Sequence, residues 1–176
     1  KDLMATPCDL SPNGLILDQA VAVGDLPGFD EGWVSVQDSG AQLAAQLVQP
    51  KPFERVLDAC SAPGSKSCHL LELAPTLDLF SVDIDSDRLT RVSENFTRLG
   101  ATGDLRCLDL AKPQPELGTF DRILLDTPCS ASGVIRRHPD IKLLRRPEDL
   151  APLIETQRKL LTQCWSLLRP GGSLLY

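Results

Sequence analysis

The sequence predicts an α/β protein with a mostly parallel, doubly wound sheet, and two observations lead to this prediction. Short apolar runs alternate along the chain with longer segments of helical periodicity. The runs are apolar at nearly every position, as in strands that are buried on both faces. Strands of this kind that alternate with helices are typical of a parallel sheet covered by helices on both sides.

Residues 1–32 are rich in Pro, Gly and Asp and contain only short apolar runs. We interpret them as a connector or as the end of a preceding domain. Residues 33–176 form the predicted core, because the alternation of strands and helices falls within them.

The first half of the core predicts three strands and three helices. Ser86 is a candidate N-cap for the third helix and Gly100 suits its C-terminal end. The expected strands are 55–60, 79–83 and 105–109, and the expected helices are 39–48, 66–74 and 86–99.

The second half predicts a strand at 120–126, a helix at 149–168 and a last strand at 173–176. Residues 169–172 (Arg-Pro-Gly-Gly) are expected to end the helix and to separate it from the last strand. Trp33 and Trp165 are expected to pack in the core. The apolar positions of the long helix are expected to face inward; they are Leu150, Leu153, Ile154, Leu160, Leu161, Trp165 and Leu168.

The composition is that of an ordinary globular protein, with 176 residues, 42% hydrophobic and 24% charged. No apolar stretch is long enough to span a bilayer and no signal sequence opens the chain, so we expect a cytoplasmic protein without a membrane partner. The six cysteines show no metal-like spacing, so no metal is expected. Buried free thiols are predicted at Cys8, Cys68, Cys107 and Cys164.

The first four predicted strands each lead into a residue or turn that is suited to a ligand site. A tight turn, Ala62-Pro63-Gly64, follows the first, and the next three end in Asp83, Asp109 and Asp126. One such Asp is usually a turn former, but the whole set indicates a nucleotide-like cofactor at the carboxyl edge of the sheet. The chain lacks a G-x-x-x-x-G-K-[ST] run, which argues against ATP or GTP hydrolysis.

Positive charge follows the turn Asp126-Thr127-Pro128-Cys129. The net charge of the chain is −6, which argues against a nucleic-acid binder. The local excess of basic residues argues for one. The candidate RNA-binding residues are Arg136, Arg137, Arg145 and Arg146.

Three stretches carry a family resemblance: DACSAPGSK (58–66), VDIDSDRL (82–89) and LLDTPCSASGVIRRHPDIKLLRR (124–146). They resemble the motifs of the RNA cytosine-5 methyltransferases of the Nol1/Nop2/Sun (Fmu) family. Residues 32–38 and 133–140 are most similar to the bacterial branch that methylates small-subunit (16S) ribosomal RNA.

The resemblance implies a Rossmann-like class I methyltransferase fold, incomplete at its C-terminus, with S-adenosylmethionine as cofactor. Ser65 stands where the family has a second glycine, so weakened cofactor binding is expected if φ must be positive there. The implied cofactor-binding residues are Cys60, Ser61, Ala62, Pro63, Gly64, Ser65, Lys66, Asp83, Asp109 and Asp126.

The resemblance also implies a covalent mechanism, in which a cysteine adds to C6 of cytosine before C5 is methylated. Asp126 and Cys129 are the implied catalytic residues, and Cys129 helps release the product. The attacking cysteine is expected beyond Tyr176. The chain is then a fragment that binds cofactor and turns over poorly alone, the full-length protein being a monomer. Ribosomal RNA is the expected partner, and residues 1–32 would end an RNA-binding domain.

Three alternatives stay open at this point. The first is a cytosine-5 methyltransferase that acts on transfer RNA. The second is a non-catalytic RNA-binding module on the same fold. The third is a nicotinamide-dependent oxidoreductase, which the missing G-x-G-x-x-G run disfavours.

Overall fold

The computed structural model describes residues 3–176, so residues 1 and 2 of the predicted connector lie outside the described residues. Five parallel strands form one sheet in the order β5-β4-β3-β6-β7. These strands are β3 (Arg55–Ala59), β4 (Asp78–Asp83), β5 (Asp104–Cys107), β6 (Phe120–Leu125) and β7 (Leu168–Leu175). The parallel order confirms the predicted α/β class.

Helices cover both faces of this sheet. They are α1 (Ser39–Val48), α2 (Ser65–Leu73), α3 (Ser86–Leu99), the single turn α4 (Ile141–Leu144) and α5 (Leu150–Ser166). Before the core, β1 (Ala5–Pro7) pairs antiparallel with β2 (Leu15–Leu17). Short 3₁₀ turns lie at Val23–Asp25, Pro115–Leu117, Ser132–Val134 and Pro147–Asp149.

Two apolar clusters, one on each side of the sheet, form the core. Neighbouring strand residues face opposite sides, so Val56 and Leu57 of β3 are both fully buried in different clusters. Helices α1, α2 and α3 pack on the Val56 side, while α5 packs on the Leu57 side. This burial on both faces explains why the strands read as continuous apolar runs.

Helix ends follow local capping, with one correction to the prediction. Asp85, rather than Ser86, caps α3, because its carboxylate accepts hydrogen bonds from the backbone N–H groups of Asp87 and Arg88. An Asp in this position also complements the helix dipole. Gly100 ends the helix in the left-handed conformation with φ of 63°, as expected.

The predicted break at residues 169–172 is wrong. Strand β7 begins at Leu168 and runs through this stretch, and the register with β6 shifts between Phe120 and Arg122. Gly171, with φ of 83°, supplies the left-handed residue that the irregular strand uses. The Pro-Gly-Gly run therefore marks an irregularity within an edge strand.

Several burial predictions are also wrong. Trp33 and Trp165 are 81% and 67% exposed. Among the predicted inward positions of α5, Leu160 is buried, whereas Ile154 is 54% exposed. Leu150 and Leu161 are exposed as well, and Leu153 and Leu168 are half-buried.

All six cysteines are free. Cys8, Cys68 and Cys164 are buried as predicted, but Cys107 is exposed at the end of β5. No helix within residues 3–176 combines the length and apolar character needed to cross a membrane.

Candidate active site

The loop that follows β3, residues 60–66, is the cofactor loop. Cys60 and Gly64 have φ of 63° and 97°, so these two residues supply its left-handed turns. Ser65 does not share this conformation, because it is the first residue of α2. The restriction expected from Ser65 therefore does not arise, since a serine adopts helical backbone angles without strain.

Glycine is required at position 64 for a second reason. A Cβ atom there would lie 2.9 Å from Cγ1 and 3.1 Å from Cα of Val92 in α3. Helix α3 thus lies directly against the cofactor loop, which also leads into α2.

A buried carboxyl group lies directly before the loop. Asp58 is fully enclosed, and its Oδ2 accepts a hydrogen bond of 2.6 Å from the Ser67 hydroxyl. The Ser81 hydroxyl in turn donates to Ser67 at 2.9 Å. Burial raises the pKa of Asp58 from 3.8 to about 7, against the lowering effects of Ser67 and Lys66. Asp58 has no role among those that the motifs imply.

The thiol of Cys60 is also shielded from water. Burial, followed by the nearby Asp83 carboxylate, raises the pKa of Cys60 to about 12. The thiol therefore stays protonated at neutral pH and is a poor nucleophile. This fits a packing role for Cys60 in the cofactor loop.

Asp83 at the end of β4 is buried, and its carboxylate already has protein partners. Oδ2 accepts from the Ala62 N–H and Oδ1 from the Asp85 N–H, both at 3.2 Å. Arg88 Nη1 lies 3.5 Å from Oδ1. A carboxylate has about four acceptor positions, so capacity for a ligand remains. Asp83 thus ties the ends of β3 and β4 together.

Asp109 lies two residues beyond β5 rather than at its end. Its carboxylate accepts from the Ala111 N–H at 3.0 Å and pairs with Lys112 at 3.1 Å. The hydrogen bond from Lys112 lowers the pKa of Asp109. The contacts of this carboxylate are those of a turn former, so its adenine-side role rests on the resemblance.

An ion pair joins the cofactor loop to the next strand of the sheet. Lys66 Nζ lies 2.7 Å from Oδ2 of Asp126, the first residue after β6. Strand β3 has β4 on one side and β6 on the other, so the strand order reverses here. Ligands of open α/β sheets bind at such a reversal, outside the carboxyl ends of the strands.

The Thr127-Pro128-Cys129 turn leaves the same edge of the sheet. Cys129 is exposed, and its sulfur accepts a weak hydrogen bond from the Ala131 N–H at 3.4 Å. Two side chains hold the turn: Gln157 donates to the Pro128 carbonyl at 2.8 Å, and Arg145 donates to the Ser130 carbonyl at 3.1 Å. The thiol is accessible on a turn fixed from both sides.

The four predicted RNA-binding arginines divide into two pairs. Arg137 pairs with Asp38 at 2.7 Å, and Arg145 lies 3.6 Å from Asp149 besides its contact with Ser130. Within residues 3–176, neither Arg136 nor Arg146 has a side-chain ion pair, and both are exposed. Arg137 and Arg145 thus have protein partners, whereas the guanidinium groups of Arg136 and Arg146 face solvent.

The residues at the carboxyl edge suit a cationic, polar cofactor. Buried Asp58 Oδ1 and Ser61 Oγ have no hydrogen-bond partner within the described chain, and buried polar atoms are usually satisfied. The carboxylates of Asp83 and Asp126 lie at the same edge as these atoms. S-adenosylmethionine carries a sulfonium and an ammonium group, which acidic side chains complement. No cluster of metal-ligating side chains occurs in residues 3–176.

Fold and site together define a Rossmann-like methyltransferase domain, and sequence comparison specifies its family. The model of the family described as "16S rRNA methyltransferase RsmB/F" matches residues 45–176. The chain belongs to this family, whose members use S-adenosylmethionine.

Curated relatives agree with this assignment. The chain is 50% identical to ribosomal RNA small subunit methyltransferase B of Vibrio cholerae over 176 residues, covering 99% of this chain and 41% of that protein. It is also 50% identical to the protein of the same name from Pseudomonas syringae pv. tomato, covering 99% and 40%. The chain therefore spans about two fifths of the length of these relatives.

Solved structures show the same fold. A methyltransferase homolog protein from Pyrococcus horikoshii superposes with a TM-score of 0.83 at 29% identity, covering 98% of this chain and 55% of that one. NSun6 from the same organism, solved with SFG, gives a TM-score of 0.80 at 28% identity, covering 92% and 43%.

Two further features of the site had weak signals in the sequence. Asp58 precedes the Ala-Cys-Ser-Ala-Pro-Gly turn, but only its burial and raised pKa distinguish it from a surface turn residue. Ile84, the residue after Asp83, is 65% exposed at the same edge of the sheet. Strand periodicity alone does not identify either of them.

Proposed function

We propose that the protein transfers a methyl group from S-adenosylmethionine to C5 of cytosine in 16S ribosomal RNA through a covalent cysteine adduct. One observation carries the proposal most directly. The Asp126-Thr-Pro-Cys129 turn is held beside the cofactor loop by the 2.7 Å pair between Lys66 and Asp126. The Cys129 thiol and the cofactor loop thus lie at one edge of the sheet.

The residues at the carboxyl ends of the strands have distinct roles in this proposal. S-adenosylmethionine supplies an electrophilic methyl group when it is bound. Residues 60–66 would hold its methionine part, Asp83 would accept hydrogen bonds from its ribose hydroxyls, and Asp109 would contribute on the adenine side. The exposed side chain of Ile84 offers an apolar surface for the same ring.

The proposed reaction takes place on the cytosine ring. C5 of cytosine is a poor nucleophile until a thiolate adds to C6 and pushes an electron pair onto C5. Once C5 carries the methyl group, a base removes its proton and the C6–S bond breaks. The target cytosine must leave the RNA stack to reach an edge of this kind.

The proposal gives the attack to a cysteine just after Tyr176 and the release to Cys129. Parallel β7 lies beside β6, with Leu175 opposite Leu124. Strand β7 therefore ends beside Asp126 and the start of the Cys129 turn. Two thiols from neighbouring strand ends can then serve one base, one for addition and one for elimination.

RNA would approach across the turn that carries Cys129. Arg145 links this turn to residues 136–146, which we call the basic loop, through the Ser130 carbonyl. Exposed Arg136 and Arg146 supply positive charge on that loop. Phosphate contacts of this kind orient RNA without reading its sequence.

The proposal is tested by incubating the full-length protein with labelled S-adenosylmethionine and unmodified 16S ribosomal RNA or transfer RNA in parallel. We expect label in 16S ribosomal RNA, located at a single cytosine C5. Labelling of transfer RNA alone would replace the substrate. Tight RNA binding without any methyl transfer would support a non-catalytic module.

A further inference from the structure

Two segments far apart in sequence meet at the C-terminal half of α3. The first is residues 28–35, which we call the entry segment. Arg98 Nη1 donates to the carbonyl oxygens of Phe29 at 2.7 Å and Val34 at 3.0 Å. The Arg98 guanidinium also lies 4.0 Å from the centre of the Phe29 ring. The entry segment is thus fastened to one side chain of α3.

Backbone packing reinforces this attachment. Gly32 has φ of 75°, and a Cβ atom on it would overlap the carbonyl oxygen of Arg98. The entry segment therefore touches the helix backbone where only glycine fits.

The second segment is the cofactor loop. Asn95, one turn before Arg98, donates from Nδ2 to the Pro63 carbonyl at 2.9 Å. Arg98 Nη2 donates to Asn95 Oδ1 at 3.4 Å. Arg88, on the same helix, donates to the Ala62 carbonyl at 3.1 Å. A continuous polar path therefore leads from the entry segment through Arg98 and Asn95 to the loop.

A cavity of about 230 Å³ separates the two segments elsewhere. Its lining includes Phe29 and Ser35 of the entry segment, Pro63 and Ser65 of the cofactor loop, and Asn95 and Arg98 of α3. The cavity keeps the entry segment and the cofactor loop from direct contact at this point. The Arg98–Asn95 pair therefore provides the connection between them.

We propose that Asn95 and Arg98 are positioning residues of the cofactor loop, and that the seating of the entry segment on Arg98 sets the affinity for S-adenosylmethionine. The proposal rests on the cofactor site proposed above. Arg98 holds Asn95, and Asn95 fixes the peptide group of Pro63 and hence the path of residues 60–66. When the contact between the Phe29 ring and the Arg98 guanidinium is lost, Asn95 is no longer held by Arg98 and the cofactor loop becomes looser.

The test is a double-mutant cycle in the full-length protein, read as the Kd for S-adenosylmethionine by titration calorimetry. Asn95→Asp keeps the side-chain shape but removes the donor to Pro63, and Phe29→Leu removes the ring under Arg98. We expect each variant to raise Kd by about fivefold, because Asn95→Asp loses one hydrogen bond of ordinary strength and Phe29→Leu loses one cation–π contact of similar strength. We expect the Kd of the double variant to be no higher than that of the single variant with the higher Kd.

Matched controls separate positioning from general stability. Arg91→Ala removes an exposed charge of the same helix that has no polar partner within residues 3–176, and it should leave Kd unchanged. Methyl transfer at saturating cofactor should keep its kcat in the two single variants, with the change confined to KM for S-adenosylmethionine. If Phe29→Leu does not fold, Arg98→Lys replaces it in the cycle. This substitution keeps the positive charge but removes the planar guanidinium that donates to several acceptors at once.

The outcomes are distinct. Additive effects of the two substitutions, or a lowered melting temperature with an unchanged Kd, would overturn the proposed link. Failure of the folded wild type to bind S-adenosylmethionine would instead overturn the cofactor site itself.

Discussion

Asp58 differs from the other carboxylates at the strand ends because it is fully buried and only one of its oxygens has a partner. Asp83 is buried as well, but backbone N–H groups hold both of its oxygens. The cost of burying a charge explains the raised pKa of Asp58. This residue therefore links the stability of the core beneath the cofactor loop to pH.

The sign of this linkage follows from the pKa of Asp58, which is about 7 in the folded chain and near 3.8 when solvated. Between these values the folded protein keeps a proton that the unfolded chain has released, so the stability contributed falls as pH rises from about 4 to 7 and then levels off. Asp58→Asn should remove this loss. Denaturant unfolding of wild type and variant across this range checks it, and parallel stability curves would show that Asp58 does not titrate there.

The four arginines of the basic loop provide a second prediction for single residues. Arg136→Ala and Arg146→Ala should each weaken RNA binding and lower the salt slope of log K by about one, because each free cation releases counterions. Arg137→Ala should change the slope less, since that guanidinium is paired with Asp38. Filter binding of RNA at several salt concentrations measures this, with cofactor affinity as the unchanged control. A salt slope equal to that of wild type in every variant would mean that the loop is only a solvated surface without phosphate contacts.

At the scale of elements, α3 is the part that shapes the cofactor loop. Its Val92 packs against Gly64, and its Arg88 and Asn95 hold the carbonyl oxygens of Ala62 and Pro63. The loop therefore takes its form from a neighbouring helix as well as from its own sequence.

Gly64→Ala tests this packing. The substitution adds a Cβ into contact with Val92 and places alanine at φ of 97°, so we expect a loss of about 2 kcal/mol in the free energy of unfolding. Gly24→Ala is the matched control, because a Cβ there meets nothing within 4 Å and should change stability by less than about 0.5 kcal/mol. Equal losses in the two variants would mean that the approach of α3 is not tight.

Element boundaries show what a sequence pattern can predict. Helices α1 and α3 begin and end at their predicted bounds, 39–48 and 86–99. The face of α5 was predicted poorly, because periodicity identifies an apolar stripe but not which elements cover it. The stripe contains both buried Leu160 and exposed Trp165. The irregular β7 was missed because Pro-Gly-Gly usually ends an element, whereas an edge strand tolerates it.

At the scale of the whole molecule, an acidic chain has one local cluster of arginines, on the side where RNA is proposed to approach. The net charge is −6, yet Arg136, Arg137, Arg145 and Arg146 lie within the loop that follows the Cys129 turn. Carboxylates gather at the adjacent strand ends, where a cationic cofactor is proposed. The two charge zones thus separate the proposed RNA and cofactor sides of one edge of the sheet.

The sequence motifs predicted the family and the strand ends that carry the site, because both depend on residues close together in the chain. They did not predict the Arg137–Asp38 pair or the Arg98 contacts, which join residues more than sixty positions apart. Such contacts depend on how the elements pack. The division at residue 32 stays a prediction, although Gly32 and its neighbours contact α3.

The most direct test of the proposed chemistry is to trap the covalent adduct. Full-length Cys129→Ala protein is incubated with S-adenosylmethionine and unmodified 16S ribosomal RNA, then denatured and resolved by electrophoresis. If Cys129 assists release, the variant accumulates an RNA-protein complex that survives denaturation, and wild type does not. A variant that methylates at the wild-type rate without such a complex, or loses methylation without forming one, would contradict the assigned roles of the two cysteines.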